Sequence, residues 1–245
     1  AVTIIGAGEA NAALAYSIDD SVVGSPVAGT GTVSSVGAIS ISGINLSALI
    51  DGTITASVTL TDAAGNSGTA GTDTATKDTV APSVVSVIMS DVALKIGDTS
   101  AITITLSEAA SGFTAADVTV ENGSIGALAG GPTVYTATFT PTADIEDATN
   151  IVTVGTAWTD IALNAPSAGG TSLNYTVDTK APTAAITYSD ADALVKAGDV
   201  LTITATFSEP LAGAPVVKIA LSGANTVAAT AMTFVDSTHY TYTHT

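Results

Sequence analysis

Apolar and polar residues alternate over short stretches along most of this chain, and the stretches are too brief for anything but strands. Val84 to Met89, Ala101 to Leu106, Val118 to Val120, Tyr135 to Thr140 and Ile151 to Val154 interleave β-branched or apolar side chains with Thr and Ser. That is close to the two-residue period of a strand with one buried face. Between them lie Asn122-Gly123, Gly130-Gly131-Pro132, Ala63-Ala64-Gly65-Asn66 and Asp51-Gly52, combinations that reverse the chain. Windows with a helical period are nearly absent. About seven short strands in roughly 100 residues predict an all-β fold, a sandwich of two antiparallel sheets rather than a closed barrel.

The pattern also repeats. Lys77-Asp78-Thr79-Val80-Ala81-Pro82 returns as Val177-Asp178-Thr179-Lys180-Ala181-Pro182, and Lys95-Ile96-Gly97-Asp98 as Lys196-Ala197-Gly198-Asp199. Ser107-Glu108 returns as Ser208-Glu209, Thr61-Asp62 with Asn66 as Thr159-Asp160 with Asn164, and Tyr135 to Thr140 as Tyr240 to Thr245. Offsets that stay near about 100 residues while drifting slightly describe one domain type in tandem, with small insertions in loops. Three units are expected, 1–79, 80–179 and 180–245, the first lacking its initial strand and the third stopping near its fifth.

Composition removes several classes of function. Of 245 residues, 22 are Asp or Glu and 5 are Lys or Arg, a formal charge of -17, so the surface repels polyanions and no nucleic acid partner is expected. With no cysteine, disulfides, thiolate zinc sites and thiol nucleophiles are all excluded, leaving packing or oxygen-ligated metals to brace the fold. No apolar run approaches the roughly 18 residues of a membrane span, and no basic leader precedes Ala1-Val2-Thr3-Ile4-Ile5. The chain reads as an interior piece of something longer.

Motifs for catalysis are scarce, and no enzyme activity is expected. Val2-Thr3-Ile4-Ile5-Gly6-Ala7-Gly8 imitates the glycine turn of a dinucleotide fold, yet Asn11 stands where Gly or Ala is needed and the ribose-binding acid is missing from Ala28 to Thr32. His239 and His244 are five apart on one strand and face opposite sides. Carboxylates abound, but aromatics are only 4% and Trp158 is the one tryptophan, a poor supply of sugar platforms. Asn45-Leu46-Ser47, Asn122-Gly123-Ser124 and Asn174-Tyr175-Thr176 match the glycosylation pattern, which arises easily in a chain rich in Ser and Thr.

The string from Leu106-Ser107-Glu108 through Phe113-Thr114-Ala115-Ala116-Asp117-Val118-Thr119-Val120, followed by Tyr135 to Thr142, resembles the bacterial Ig-like domains strung in tandem in large secreted surface proteins and repeat adhesins. Gly6-Ala7-Gly8-Glu9-Ala10-Asn11-Ala12 and Leu60-Thr61-Asp62-Ala63-Ala64-Gly65-Asn66 resemble a sister variety. The likeness implies tandem immunoglobulin-like β-sandwiches in a linear array. At Ile161-Ala162-Leu163 the chain departs from the small, glycine-containing turn of the family.

Strand parity turns this fold into a site. If successive strands alternate in direction, the turns after the second and sixth strands lie at the pole where the first began, beside the incoming linker. In the middle unit that pole gathers Asp78, Glu108, Asp160 and Asn164. Carboxylates converging in a chain with few cations repel unless a cation sits among them, and an all-oxygen donor set suits calcium. The same rule selects Asp178 and Glu209 in the third unit, and Glu9, Asp62 and Asn66 in the first. Asp51 is a further donor at the first joint, and Asp144, Glu146 or Asp147 at the second. Family resemblance also implies calcium at domain joints. Taken singly, each Asp or Asn also reads as a turn cap.

The functional expectation is a structural stalk segment of a bacterial extracellular adhesin, stiffened by calcium at its joints, with neighbouring repeats of the same parent chain as partners. Two other roles fit the same features: a subunit that assembles with copies of itself into a surface layer, sheath or filament, and an accessory region of an extracellular enzyme.

Overall fold

The structure, a computed structural model, describes residues 1–22, 24, 26–190, 195–196, 198–211, 216–223 and 226–245. Ala197, within the Lys-x-Gly-Asp echo, lies outside them. Strand pairing sorts the chain into three consecutive sets. The first holds β1 (Val2–Ala7), β2 (Ala13–Asp19), β3 (Val27–Thr32), β4 (Ala38–Ile44), β5 (Gly52–Thr61) and β6 (Gly71–Lys77). The second begins with β7 (Val84–Met89), β8 (Ala93–Lys95), β9 (Ser100–Leu106), β10 (Ala110–Ser111), β11 (Val118–Val120), β12 (Gly123–Ile125) and β13 (Ala129–Gly130). It continues through β14 (Val134–Pro141), β15 (Glu146–Asn150), β16 (Val152–Val154), β17 (Thr159–Asp160), β18 (Gly170–Thr171) and β19 (Tyr175–Asp178). The third holds β20 (Ala184–Tyr188), β21 (Leu201–Phe207), β22 (Lys218–Leu221), β23 (Val227–Ala231), β24 (Thr233–Phe234) and β25 (His239–His244).

No ladder among the described residues joins one set to another. The first set forms sheets β1-β4 and β3-β2-β5-β6. In the second, β12-β14-β9-β7 faces β11-β16-β18 and β15-β19-β8. The third pairs β20-β21-β25-β24 and β22-β23. These are immunoglobulin-like sandwiches in tandem. The strand β2 runs where a dinucleotide fold requires a helix, and the one helical element among the described residues is a 3-10 turn at Ala115–Asp117.

Alternation decides which side chains fill the core. On β9, Ile102, Ile104 and Leu106 point inward and are almost wholly buried while Ala101, Thr103 and Thr105 point away. They meet Phe139, Val152, Val154, Trp158, Tyr175 and Val177 in one cluster. Phe139 and Tyr175 meet edge to face at 5.2 Å, and Phe113 meets Trp158 at 5.5 Å, both favoured geometries. Trp158 is therefore a core residue, its Nε1 donating to the Gly155 carbonyl at 3.0 Å.

One strand escapes the sequence pattern. Glu146–Asn150 is polar and lies outside the alternating stretches, yet it forms β15 and pairs with β19. Buried Asn150 makes this possible: its Nδ2 donates to the carbonyls of Asp147 and Tyr175 at 3.1 Å each, and its Oδ1 accepts from Asn122 Nδ2 at 2.6 Å. A buried amide whose bonds are all made can stand where an apolar side chain was expected. Asn122 and Asn174, both in glycosylation-type sequences, have their side-chain nitrogens engaged with Asp147 and with the Ala148 carbonyl.

Candidate cation site at the linker

Each element of the site is set by a local device. The Ser107 hydroxyl accepts from the Ser83 amide at 2.9 Å, and the Ser107 amide donates to the Ser83 carbonyl at 2.9 Å. This clamp ties the end of β9 to the start of β7 and so fixes Glu108 beside the linker. Ser208 and Thr183 repeat it at the same distances in the third set. The repeated serine thus has a structural meaning: it positions the glutamate that follows.

The turn after β17 is built on Asp160. The Asn164 amide donates to Asp160 Oδ1 at 2.8 Å, Asn164 Nδ2 donates to Asp160 Oδ2 at 2.7 Å, and the Asp160 amide donates to the Asn164 carbonyl at 3.0 Å. Asp62 and Asn66 reproduce all three bonds at 2.8, 2.8 and 3.0 Å. The departure at Ile161-Ala162-Leu163 therefore leaves the turn intact. Leu163 takes the left-handed conformation with φ of 74°, where Gly65 has 91°.

Asp78, Glu108 and Asp160 come together. One carboxylate oxygen from each lies within 4.8 Å of the other two. Asp160 is buried and its two partners are half-buried. No ion pair among the described residues involves any of the three. Burial, and then the charges of Asp78 and Asp160, push the Glu108 carboxyl above its ordinary value. Burial also opposes the charge on Asp160, but hydrogen bonds from the Asn164 side chain and from the amides of Asn164, Ala162 and Leu163 outweigh it, and its carboxyl lies below the ordinary value. Asn164 reaches further, its Nδ2 lying 3.3 Å from the Asp78 carbonyl. It thereby links turn to linker.

This donor set fits a hard cation. Calcium takes oxygen ligands at about 2.4 Å, so two oxygens sharing one ion lie no more than about 4.8 Å apart, as these do. The two Asn164 bonds fall on different oxygens of Asp160, and each carboxylate oxygen has a second lone pair. Among the described residues no other trio of acidic or histidine side chains converges this closely. In the first set Glu9 is exposed and Asp62 has Asn66 as its partner. In the third, Asp178 is exposed with Lys180 N 3.4 Å from its Oδ1, and Glu209 is half-buried. Neither place assembles three carboxylates.

Three of the four further donors expected at the joints have other partners. Asp51 accepts from Lys77 Nζ at 2.6 Å and from the Thr79 amide and hydroxyl at 2.9 and 2.7 Å. The Lys77 ammonium, followed by the two Thr79 groups, holds the Asp51 carboxyl down at about 2. Glu146 Oε2 lies 3.8 Å from Lys180 Nζ. Asp147 accepts from Asn122 Nδ2 and from the Thr149 amide, and Asp144 sits in a turn with φ of 57°. His239 faces Asp236 at 2.9 Å, and His244 stacks on Tyr242.

Linker threonines are the residues the sequence reading passed over. Buried Thr179 donates from Oγ1 to the Thr142 carbonyl at 2.6 Å and accepts from the Ile145 amide at 3.0 Å. Thr79 does the equivalent with Asp51. Each linker is thus hydrogen-bonded to the set before it, and the signal was present in the repeated Asp-Thr-x-Ala-Pro itself.

A family model described as "Bacterial Ig-like domain" matches residues 78–177. Among solved structures, the tetra-tandem repeat in the extending region of a large adhesion protein is 23% identical, with 98% of this chain and 61% of that one covered and a TM-score of 0.36. A structure of a 1.5-MDa bacterial ice-binding adhesin, concerned with host cell surface retention, is 19% identical over 99% of this chain and 79% of that one, with a TM-score of 0.38. The chain spans about 61% of the length of the first of these. No curated protein matches it. No helix among the described residues is long and apolar enough to cross a membrane, which says nothing of β-barrels. The segment that matches this family model, residues 78–177, carries all three carboxylates of the acidic site.

Proposed function

We propose that this chain is a stalk segment of a bacterial extracellular adhesin, in which calcium held by Asp78, Glu108 and Asp160 fixes the angle at a linker between tandem sandwiches. One observation carries the reading: a linker carboxylate and two further carboxylates, distant in sequence, lie within 4.8 Å of one another, and none of them forms an ion pair among the described residues. An ion there joins the linker to both loops, while Asp51, Lys77 and Thr79 fasten the same linker to the preceding set. The linker then has no free hinge. Asp178 and Glu209 stand at the equivalent place at the next joint. Filling the site also stabilises the fold by mass action, by about 2.7 kcal/mol at a hundredfold excess over Kd.

Small-angle scattering of the chain with calcium and with a chelator tests this. A longer maximum dimension and a narrower length distribution in calcium support the reading, and superimposable curves refute it. Assembly into a filament or layer is the second reading. Growth in mass with protein concentration distinguishes that case.

A further inference from the structure

Asn122-Gly123 is the one Asn-Gly pair in the sequence, and the fold calls for both members. A Cβ on residue 123 would run into the Phe139 ring and the Thr140 carbonyl, so the close approach of β12 to β14 needs glycine. At 122 the fold needs an amide side chain. Asn122 Nδ2 donates to Asp147 Oδ2 at 2.8 Å and to Asn150 Oδ1 at 2.6 Å, both on β15. With φ of 49°, Asn122 also takes the left-handed conformation that asparagine tolerates.

The same pairing carries a chemical weakness. Glycine has no side chain to shield its amide nitrogen, which can attack Cγ of the preceding asparagine. The attack forms a bond from Gly123 N to Asn122 Cγ and breaks the bond from Cγ to Nδ2. Ammonia leaves, the Gly123 amide proton is released, and a cyclic imide remains. Water opens that ring at either carbonyl, giving aspartate or isoaspartate. One water is consumed and one ammonia released, with no change in oxidation state.

Folding opposes the first step. Ring closure requires the Asn122 side chain and the Gly123 nitrogen to turn toward each other, yet β15 holds Nδ2. The Asn122 carbonyl accepts from the Thr142 amide at 2.9 Å, which fixes the peptide plane between residues 122 and 123. Reaction therefore proceeds from the locally opened state in which these bonds are released. The product does not fit back. A carboxylate at 122 donates nothing to Asp147 or Asn150, and the Asp147 carboxyl lies below its ordinary value, chiefly through the Thr149 amide, so two negative charges meet. Isoaspartate also lengthens the backbone beside the register of Gly123 with Pro141. The disturbance reaches the second linker, because Thr142, which donates to the Asn122 carbonyl, accepts from buried Thr179 Oγ1 at 2.6 Å.

We propose that Asn122 is a site of spontaneous hydrolytic deamidation, closed in the folded second sandwich, whose conversion loosens β15 and the linker to the third set. The reaction needs only water.

Incubating the full 245-residue chain in neutral buffer, with and without guanidinium chloride, and reading each asparagine by peptide mass spectrometry tests the proposal. Asn122 is expected to convert at least about tenfold faster in denaturant than in buffer, and faster there than any other asparagine. The Asn122→Asp chain, equivalent to the aspartate product, is expected to exchange the amide hydrogens of Thr142 and Thr179 at least about tenfold faster than the parent. No conversion in denaturant, or equal rates with and without it, overturns the proposal. So does an Asn122→Asp chain whose exchange at both threonines matches the parent's. The parent's two conversion rates decide the first point even if the substituted chain does not fold.

Discussion

Leu163→Gly is expected to stabilise the second sandwich without altering its cation site. Leu163 has φ of 74°, a conformation that costs a residue with a Cβ roughly 1–2 kcal/mol. Its side chain is 74% exposed, so truncation removes little buried surface. Glycine relieves the strain but enlarges the unfolded ensemble, at a cost of roughly 0.4–1 kcal/mol. The balance is a gain of about 0.5 kcal/mol, or about 2–4 °C in Tm for a domain of this size. The bonds between Asp160 and Asn164 do not involve the Leu163 side chain, so calcium affinity is expected to stay constant. The reciprocal Gly65→Leu has φ of 91° and nothing within 4 Å of the added Cβ, which isolates the backbone cost and lowers Tm. Scanning calorimetry of both variants decides the matter. A Tm for Leu163→Gly equal to or below the parent refutes the strain argument.

Three further substitutions follow from the same geometry. Thr179→Val removes the bonds to the Thr142 carbonyl and the Ile145 amide from a buried site, and urea denaturation is expected to show a loss of about 1–3 kcal/mol. Gly123→Ala brings a Cβ into the Phe139 ring and the Thr140 carbonyl, and overpacking of this kind lowers stability by about 1–3 kcal/mol. For Asp51, a carboxyl held at about 2 against an ordinary 3.8 means that its stabilisation is present above the ordinary value and is lost as pH falls from near 4 towards 2. The parent's Tm advantage over Asp51→Asn is therefore expected to shrink across that window, and a constant difference contradicts the assignment.

What the sequence disclosed, and what it hid, follow from how strongly each residue type constrains its surroundings. Alternation on β9 and β14 gave the sandwich because Ile102, Ile104 and Phe139 have one stable place, the interior. Parity brought Asp78, Glu108 and Asp160 to one pole because strand direction alone sets which loops are neighbours. Glu146 to Asn150 concealed a strand because its inward residue, Asn150, is stabilised by hydrogen bonds that a linear pattern does not show. Leu163 in a glycine conformation suggested an altered turn, but the three Asp160–Asn164 bonds hold it against the strain. Similar echoes at Glu9 and Glu209 did not deliver trios among the described residues.

The central claim is most directly tested by the melting temperature of the parent and of Glu108→Gln, each measured at neutral pH in a chelator and in millimolar calcium. Glu108 has its carboxyl raised by burial and by its two acidic neighbours, so its stabilising protonated form is lost as pH rises through that value, and at neutral pH without metal its charge opposes the fold. The account predicts that Glu108→Gln melts higher than the parent in chelator and lower than the parent in calcium. A parent indifferent to calcium, or a difference of the same sign in both conditions, contradicts it.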